Sequence, residues 1–328
     1  MAKAALVSWL FAALAACSSA ADPQSAATPP APVAATAENL ARAMARQPIV
    51  LLGEVHDNAA QHALRLQALQ RLVADGARPA LAFEQLDSDR QAALDQVRGA
   101  AASGSGAADD RAAIDERVSR IIDVAGAKGW HWDYYRPYLA VALQHDLPII
   151  AANLSRAQAM RIAQEGAGAV FSAEQQTELG LDEIAPDIER AQEHEIEVGH
   201  CGRLPPDALA PIALAQVARD AMLARSILPY ADRGVVLFTG NGHARRDIGV
   251  PRHLGARDRA RSVSIGLVED DEHAASAAGW FDVTLLSAIQ ERADPCRDIP
   301  SMPGMVPHRP PRPPREDVPG LLRTALPV

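Results

Sequence analysis

The chain is poor in aromatic residues, with thirteen in 328 positions, and it has only three cysteines. Thiols so few and so far apart cannot supply a cysteine-rich zinc module, whose ligands come in short paired spacings. There is no excess of positive charge: the formal net charge is -9 and the isoelectric point is near 5.6. That excludes nucleic acid as a partner, because backbone binding requires a basic surface that releases counterions. The chain contains no His-Glu-x-x-His, so the helical zinc-protease signature is missing. Its N-terminal apolar run, Ala4 to Ala16, is too short to span a bilayer. What is present is 48% hydrophobic residues, enough for a sizeable core in one large domain or two modest ones.

Met1-Ala2-Lys3 followed by that short apolar run has the charged and apolar regions of an export signal. The run closes on Leu14-Ala15-Ala16-Cys17-Ser18, which resembles the lipobox of bacterial lipoproteins. The resemblance implies a signal peptide over 1–17 and a lipid on Cys17, which would anchor the mature protein to a membrane. Ser18, in place of an acidic residue, resembles outer-membrane sorting. An ordinary cleavage site beside an incidental cysteine would show the same small residues. Residues 18–37, rich in Ala, Pro, Ser and Thr, carry no apolar period and read as a tether. In an oxidising compartment Cys201 and Cys296 are expected to pair as a disulfide, with a thiolate ligand to iron or zinc as the alternative. The 296–328 tail, with Pro310-Pro311-Arg312-Pro313-Pro314-Arg315, cannot pack as an element and reads as a solvated tail or a polyproline ligand.

Residues 38–295 remain as the folded domain. Its organising stretch is Pro48-Ile49-Val50-Leu51-Leu52-Gly53-Glu54-Val55-His56-Asp57-Asn58, a β-type apolar run followed by a carboxylate, an imidazole and helix-capping residues. A helix from Asn58 to Ala74 and a strand Ala80 to Phe83 complete a βαβ unit, which makes the two strands parallel. Glu84 then emerges on the same edge as Glu54 and His56. Further strands are expected at Leu147 to Asn153, Gly234 to Thr239, Ser262 to Leu267 and Phe281 to Leu285. The fold class is therefore α/β, a mostly parallel central sheet of about six strands flanked by helices. A small helical lobe is expected between Ser88 and Val124, interrupted by the loop 101–107. Loops at the carboxyl ends of such strands form the ligand crevice, which singles out Glu54, His56, Glu84 and the second Gly-x-x-His, Gly240-Asn241-Gly242-His243.

Five of the thirteen aromatic residues fall between Trp130 and Tyr138. They form either a packing plug at a helix start or the wall of a pocket for a large, flat, partly polar ligand. Tyr134, Tyr135 and Tyr138 are each able to offer an oxygen ligand to ferric iron. The Ala-rich helix from Pro205 to Leu228 carries Arg219 and Asp220, either an internal ion pair with nearby groups or part of the site.

With Gly53-Glu54-Val55-His56-Asp57-Asn58, Phe83-Glu84-Gln85, Trp132 to Tyr138, Asn153, Ala215-Gln216, Arg219-Asp220 and Gly240-Asn241-Gly242-His243 in hand, the chain resembles the ChaN family of haem-binding lipoproteins over roughly 40–290. That family sits in a superfamily with the Tiki proteases and the erythromycin-esterase-like proteins. The resemblance implies haem binding in the periplasm and cell envelope in the service of iron uptake, homodimers that enclose stacked haems, and a receptor or transporter as partner. Tyr134, Tyr135 or Tyr138 would give iron its oxygen ligand and His200 its nitrogen ligand. The alternative is a metal-dependent hydrolase in which His56, Glu84 and His243 hold a divalent ion and Glu54 acts as general base. Mass spectrometry of the mature N-terminus should find a lipid-modified Cys17, and Cys17→Ala should release the protein from the membrane fraction; an unmodified N-terminus would remove the anchor.

Overall fold

The computed structural model describes residues 33–100, 111–125, 129–269, 277, 279–294 and 296–297. The expected signal peptide with Cys17, most of the stretch 18–37 read as a tether, the loop expected at 101–107 and the Pro-rich sequence beyond 297 lie outside the described residues. Seven strands form one sheet: β1 (Val33–Ala34), β2 (Ile49–Leu52), β3 (Ala80–Asp87), β4 (Ile149–Asn153), β5 (Val235–Phe238), β6 (Ser262–Val268) and β7 (Val283–Leu286). The helices before β4 are α1 (Ala37–Met44), α2 (Ala59–Ala74), α3 (Gln91–Ala100), α4 (Arg111–Ala125) and α5 (Trp132–Gln144). After it come α6 (Arg156–Glu165), α7 (Ala173–Leu179), α8 (Pro186–Gly199), α9 (Pro206–Ile227), α10 (Asn241–Ala244) and α11 (Ala256–Ala260). Among the described residues no helix is long and apolar enough to cross a membrane.

Every strand pairing is parallel and the order is β1-β7-β6-β2-β5-β3-β4. From β2 the chain crosses one way to β3, and from β5 it returns the other way to β6, so a crevice opens at the carboxyl ends of β2 and β5. The two strands pair Ile49 with Val235 through Leu52 with Phe238, which sets the two Gly-x-x-His segments side by side. β1 falls inside the stretch read as a tether. Val33 and Ala34 pair with Leu285 and Leu286, and a two-residue strand among Pro and Ala carries no period by which it could be read.

Parallel strands buried on both faces are continuous apolar runs, and β2 and β5 are buried at every position. Val50, Leu52, Leu81, Phe83, Val236 and Phe238 face one core, shared with α1, α2, α4 and α5. Ile49, Leu51, Ala80, Ala82, Val235 and Leu237 face the other, against Leu223, Ala224 and Ile227 of α9. Ala213, Val217, Ala221 and Ala224 of α9 are all buried, as expected of a small-residue face that lets helix and sheet approach closely. The helical lobe is the pair α3 and α4, and Ile114, Val118 and Ile121 bring it into the first core.

Local chemistry starts the helices where the sequence places them. Asn58 accepts from the Gln61 N–H at 2.9 Å to begin α2, and Ser155 forms a capping box with Gln158 at the start of α6. Gly76, at φ +99°, turns the chain after α2. Cys201 and Cys296 are joined in a disulfide with their Cα atoms 5.7 Å apart. This ties the segment after β7 to the turn between α8 and α9. Closing a loop of 95 residues removes unfolded-state entropy equivalent to about 4 to 5 kcal/mol in the chain-entropy treatment. Between β7 and the disulfide the segment is held at the start of α2: Asn58 Nδ2 donates to the Ala288 carbonyl at 2.9 Å, and Arg292 pairs with Asp57 and Glu269 at 2.8 and 2.7 Å.

Candidate functional site

Side-chain alternation divides the two carboxylates of the crevice between the two faces of the sheet. Glu54 follows Leu52 by two residues and joins the α2 and α5 side, where it is 2% exposed. Glu84 follows Phe83 by one and turns to the α9 side, at 6% exposure. Between them stands His56, whose side chain is 45% exposed. Two glycines make room. A Cβ on Gly53 would lie 2.4 Å from Asn241 Oδ1, and one on Gly240 would lie 2.8 Å from the His56 ring, so each Gly-x-x-His turn requires its glycine for close approach to the other.

Glu54 is the most heavily bonded group of the site. Its Oε1 accepts from the Tyr135 hydroxyl at 2.7 Å and contacts His56 Nδ1 at 3.1 Å. Its Oε2 is ion-paired with Arg65 and lies 3.3 Å from His62 Nδ1. Arg65 is wholly buried, and its guanidinium also sits over the Phe238 ring at 5.1 Å and donates to the Leu52 carbonyl at 3.3 Å. His62 stacks on Tyr134, with ring centroids 4.3 Å apart.

On the other side, Glu84 Oε2 accepts from the Thr239 hydroxyl at 2.7 Å and from the Gly240 N–H at 2.8 Å. Its Oε1 faces His243 Nε2 at 3.6 Å and His56 Nε2 at 3.9 Å. Burial opposes its ionisation, but the two imidazoles and these donors bring its carboxyl down to about 2. His243 Nδ1 meets Asp220 Oδ1 at 2.7 Å. Burial works against the imidazolium there as well, and the Asp220 and Glu84 carboxylates overcome it, holding His243 at about 9. Gln192 donates to the remaining Asp220 oxygen at 3.2 Å. The result is a chain of alternating basic and acidic side chains across the crevice: Arg65, Glu54, His56, Glu84, His243, Asp220.

The structure therefore brings together Glu54, His56, Glu84 and His243, as the strand-end pattern predicts. It does not support the metal expectation for His56, Glu84 and His243. Among the described residues no group of three or more His, Cys, Asp or Glu side chains could hold a metal ion. Asp220 lies 2.7 Å from His243 Nδ1, and Glu84 Oε1 stands 3.6 Å from its Nε2 and 3.9 Å from His56 Nε2.

The tyrosines divide likewise. Tyr135 and Tyr138 are buried, and their hydroxyls donate to Glu54 and to the His62 carbonyl, each at 2.7 Å. Burial raises both, Tyr138 to about 12, so neither fits the iron-ligand expectation. They brace the site instead. Tyr134 is half-buried. Trp130 meets the His56 ring edge-on, with centroids 5.0 Å apart. The aromatic cluster is thus a plug at its buried residues and a wall at Trp130 and Tyr134. His200 ends α8, where its Nδ1 bonds the Ile196 carbonyl at 2.8 Å. It lines a cavity of about 200 Å³ behind His243, with Gln192, Gln216 and Asp220. The tyrosines belong to the core on the opposite face of the sheet, so the fold does not bring them to one iron with His200.

Sequence reasoning passed over Arg65 and His62 because both sit in a helix read through its leucines. The buried face of α2 is Gln61, His62, Arg65, Ala68, Leu69 and Val73. Polar residues at i, i+1 and i+4 that continue an apolar stripe were the signal. Asp220 was noticed, but its role as the partner of His243 needs the packing of α9 on β4 and β3.

Fold and site together define a parallel α/β protein with an alternating acid and base cluster at its switch point, walled by aromatic side chains. Residues 40–254 match the family described as haem-binding uptake, Tiki superfamily, ChaN, and the chain belongs to that family. A solved ChaN of Campylobacter jejuni, described as showing cofacial haem binding, aligns with a TM-score of 0.54 at 21% identity, covering 71% of this chain and 86% of that one. The erythromycin esterase EreC in its open conformation aligns at 0.38 and 15% identity, over 70% and 72% of the two chains. A Bacillus cereus protein aligns at 0.36 and 15%, over 73% and 71%. At 21% identity the likeness to the Campylobacter jejuni protein is one of fold. No curated protein sequence matches the chain.

Two predictions follow from the charges. Arg65→Met should destabilise the protein by about 3–5 kcal/mol in urea unfolding, because it strands a buried carboxylate, and adding Glu54→Gln should recover much of that loss; a double variant no more stable than the single would overturn the assignment. The second concerns pH. Glu84 falls from 4.5 to about 2 on folding, so its contribution is present above pH 4.5 and is lost as pH falls through 2. His243 rises from 6.5 to about 9, so its contribution is full below pH 6.5 and is lost as pH rises through 9. Unfolding free energy should therefore decline on the alkaline side of this window, and His243→Gln should flatten that limb.

Proposed function

We propose that this protein binds haem at the cell envelope, held there by a lipid on Cys17, in the service of haem and iron uptake. The observation that carries the reading is the partly exposed wall of Trp130 and Tyr134 beside the half-exposed His56, in a chain of a haem-binding uptake family. A porphyrin is large, flat and apolar with polar edges, and a crevice of aromatic faces with a few polar groups is what such a ligand requires. Of the expected oxygen ligands, Tyr134 is the residue that fits, since Tyr135 and Tyr138 spend their hydroxyls inside the protein. His56 is the imidazole at the same wall, with Nε2 at 3.9 Å from Glu84, beyond hydrogen-bond reach. A second copy facing the same wall would cover the far face of the porphyrin, in keeping with a homodimer. The lipobox and the Cys201–Cys296 disulfide both suit an exported protein.

A second reading rests on the charge chain itself. His56, braced by Glu54 at 3.1 Å, has the placement of a general base that could activate water on an ester or amide. One pair of measurements separates the two. Hemin titration should give a saturable Soret shift that weakens in Tyr134→Phe and His56→Ala and persists in His200→Ala; absence of a saturable shift would overturn haem binding. Ester or peptide turnover abolished by His56→Ala would favour the hydrolase.

A further inference from the structure

We propose that Arg219 is the anion-recognition group of this site and takes a carboxylate of the ligand, which for haem, on whose binding this inference rests, is a propionate. Arg219 directly precedes Asp220 on α9, but the two side chains have different fates. Asp220 is spent on His243 and Gln192. Among the described residues Arg219 makes one hydrogen bond, from Nη1 to the Leu154 carbonyl at 3.3 Å.

That carbonyl fixes where the guanidinium lies. Leu154 follows Asn153, the last residue of β4, and Asn153 Nδ2 donates to the Glu84 carbonyl at 3.1 Å. Arg219 is thus held at the carboxyl ends of β3 and β4, on the Glu84 side of the crevice. Its charge acts on Glu84, Asp87 and Asp220, yet among the described residues no carboxylate lies within ion-pair distance of it. The two most deeply buried arginines are treated otherwise: Arg65 is paired with Glu54, and Arg245 with Glu195 and Asp247, each at 2.6 Å. Glu84 and Asp220 cannot turn to Arg219 without giving up Thr239, Gly240, His243 or Gln192.

A half-buried guanidinium keeps its charge at a desolvation cost, and here four of its five donors have no protein acceptor among the described residues. A planar carboxylate answers both needs, because it accepts two parallel N–H bonds from the fork and neutralises the charge. Glu84 and Asp220 are engaged elsewhere, and Asp87 does not reach ion-pair distance of Arg219 among the described residues, so the fork is left for a carboxylate of the ligand.

The test compares hemin with hemin dimethyl ester, whose propionates carry no charge, by Soret titration of the full protein. The wild type should bind hemin about ten- to a hundredfold more tightly than the ester. Arg219→Gln should remove that preference by weakening hemin and leaving the ester unchanged, and Arg219→Lys, which keeps the charge without the fork, should restore part of it. Equal weakening of both ligands, or no change in either, would overturn the proposal while haem binding stands. A wild type that binds hemin but does not distinguish the ester also overturns it, even if Arg219→Gln fails to fold. A wild type that binds neither ligand overturns haem binding and this inference together.

Discussion

Burying the Glu54 carboxylate is the constraint from which the rest of the site follows. A lone ionised carboxylate at 2% exposure would cost far more than a folded domain has to spare. Arg65 compensates it, and Arg65 in turn has to be delivered by a helix that packs on the sheet at that point. This is why α2 turns polar residues inward along its first half. Tyr135 and His56 then take the other carboxylate oxygen. The buried pair gives little net stability, since desolvation offsets most of the attraction, but with its partners in place it allows Glu54 only one orientation. A rigid carboxylate orients His56, and His56 is the part of the network that reaches the surface.

The sheet supplies the second half of the arrangement. Because β2 and β5 are neighbours whose onward connections run in opposite directions, their carboxyl ends diverge and leave a crevice. The side-chain period of two then sends Glu54 and Glu84 to different faces, each among helices that can complete its shell. His56 spans the gap between them. The structure thus has one polar chain running through the sheet edge, with the aromatic wall on the α5 side and the Asp220, His243 and Arg219 group on the α9 side.

The segment after β7 closes the design. It passes from the start of α2, where Arg292 grips Asp57 next to His56, to Cys296, which is bonded to Cys201 next to His200. The loop carrying His56 is therefore tied to the rest of the molecule by ion pairs and a covalent bond as well as by packing. Such bracing suits a site whose function depends on a partly exposed imidazole keeping a fixed position.

The strands from β2 to β7, the two Gly-x-x-His turns, the helix caps and the pairing of Cys201 with Cys296 were legible in the chain because each is written locally. Apolar runs bounded by glycine, capping residues at their proper offset and an even count of cysteines once Cys17 is set aside need no knowledge of distant neighbours. The resemblance to ChaN proteins rests on the same local stretches. Which tyrosine of Tyr134, Tyr135 and Tyr138 stays near the surface was not legible, because three positions on one helix differ only in what packs against them. Nor was the partner of Glu54, since Arg65 sits eleven residues away among leucines. The pairing of His243 with Asp220 depends on α9, the helix that immediately precedes β5. The sequence by itself determined which chemical groups stand at the ends of the strands. Only the tertiary structure decided which are charged, which are buried and which face a ligand, because those properties depend on distances between segments remote in the chain.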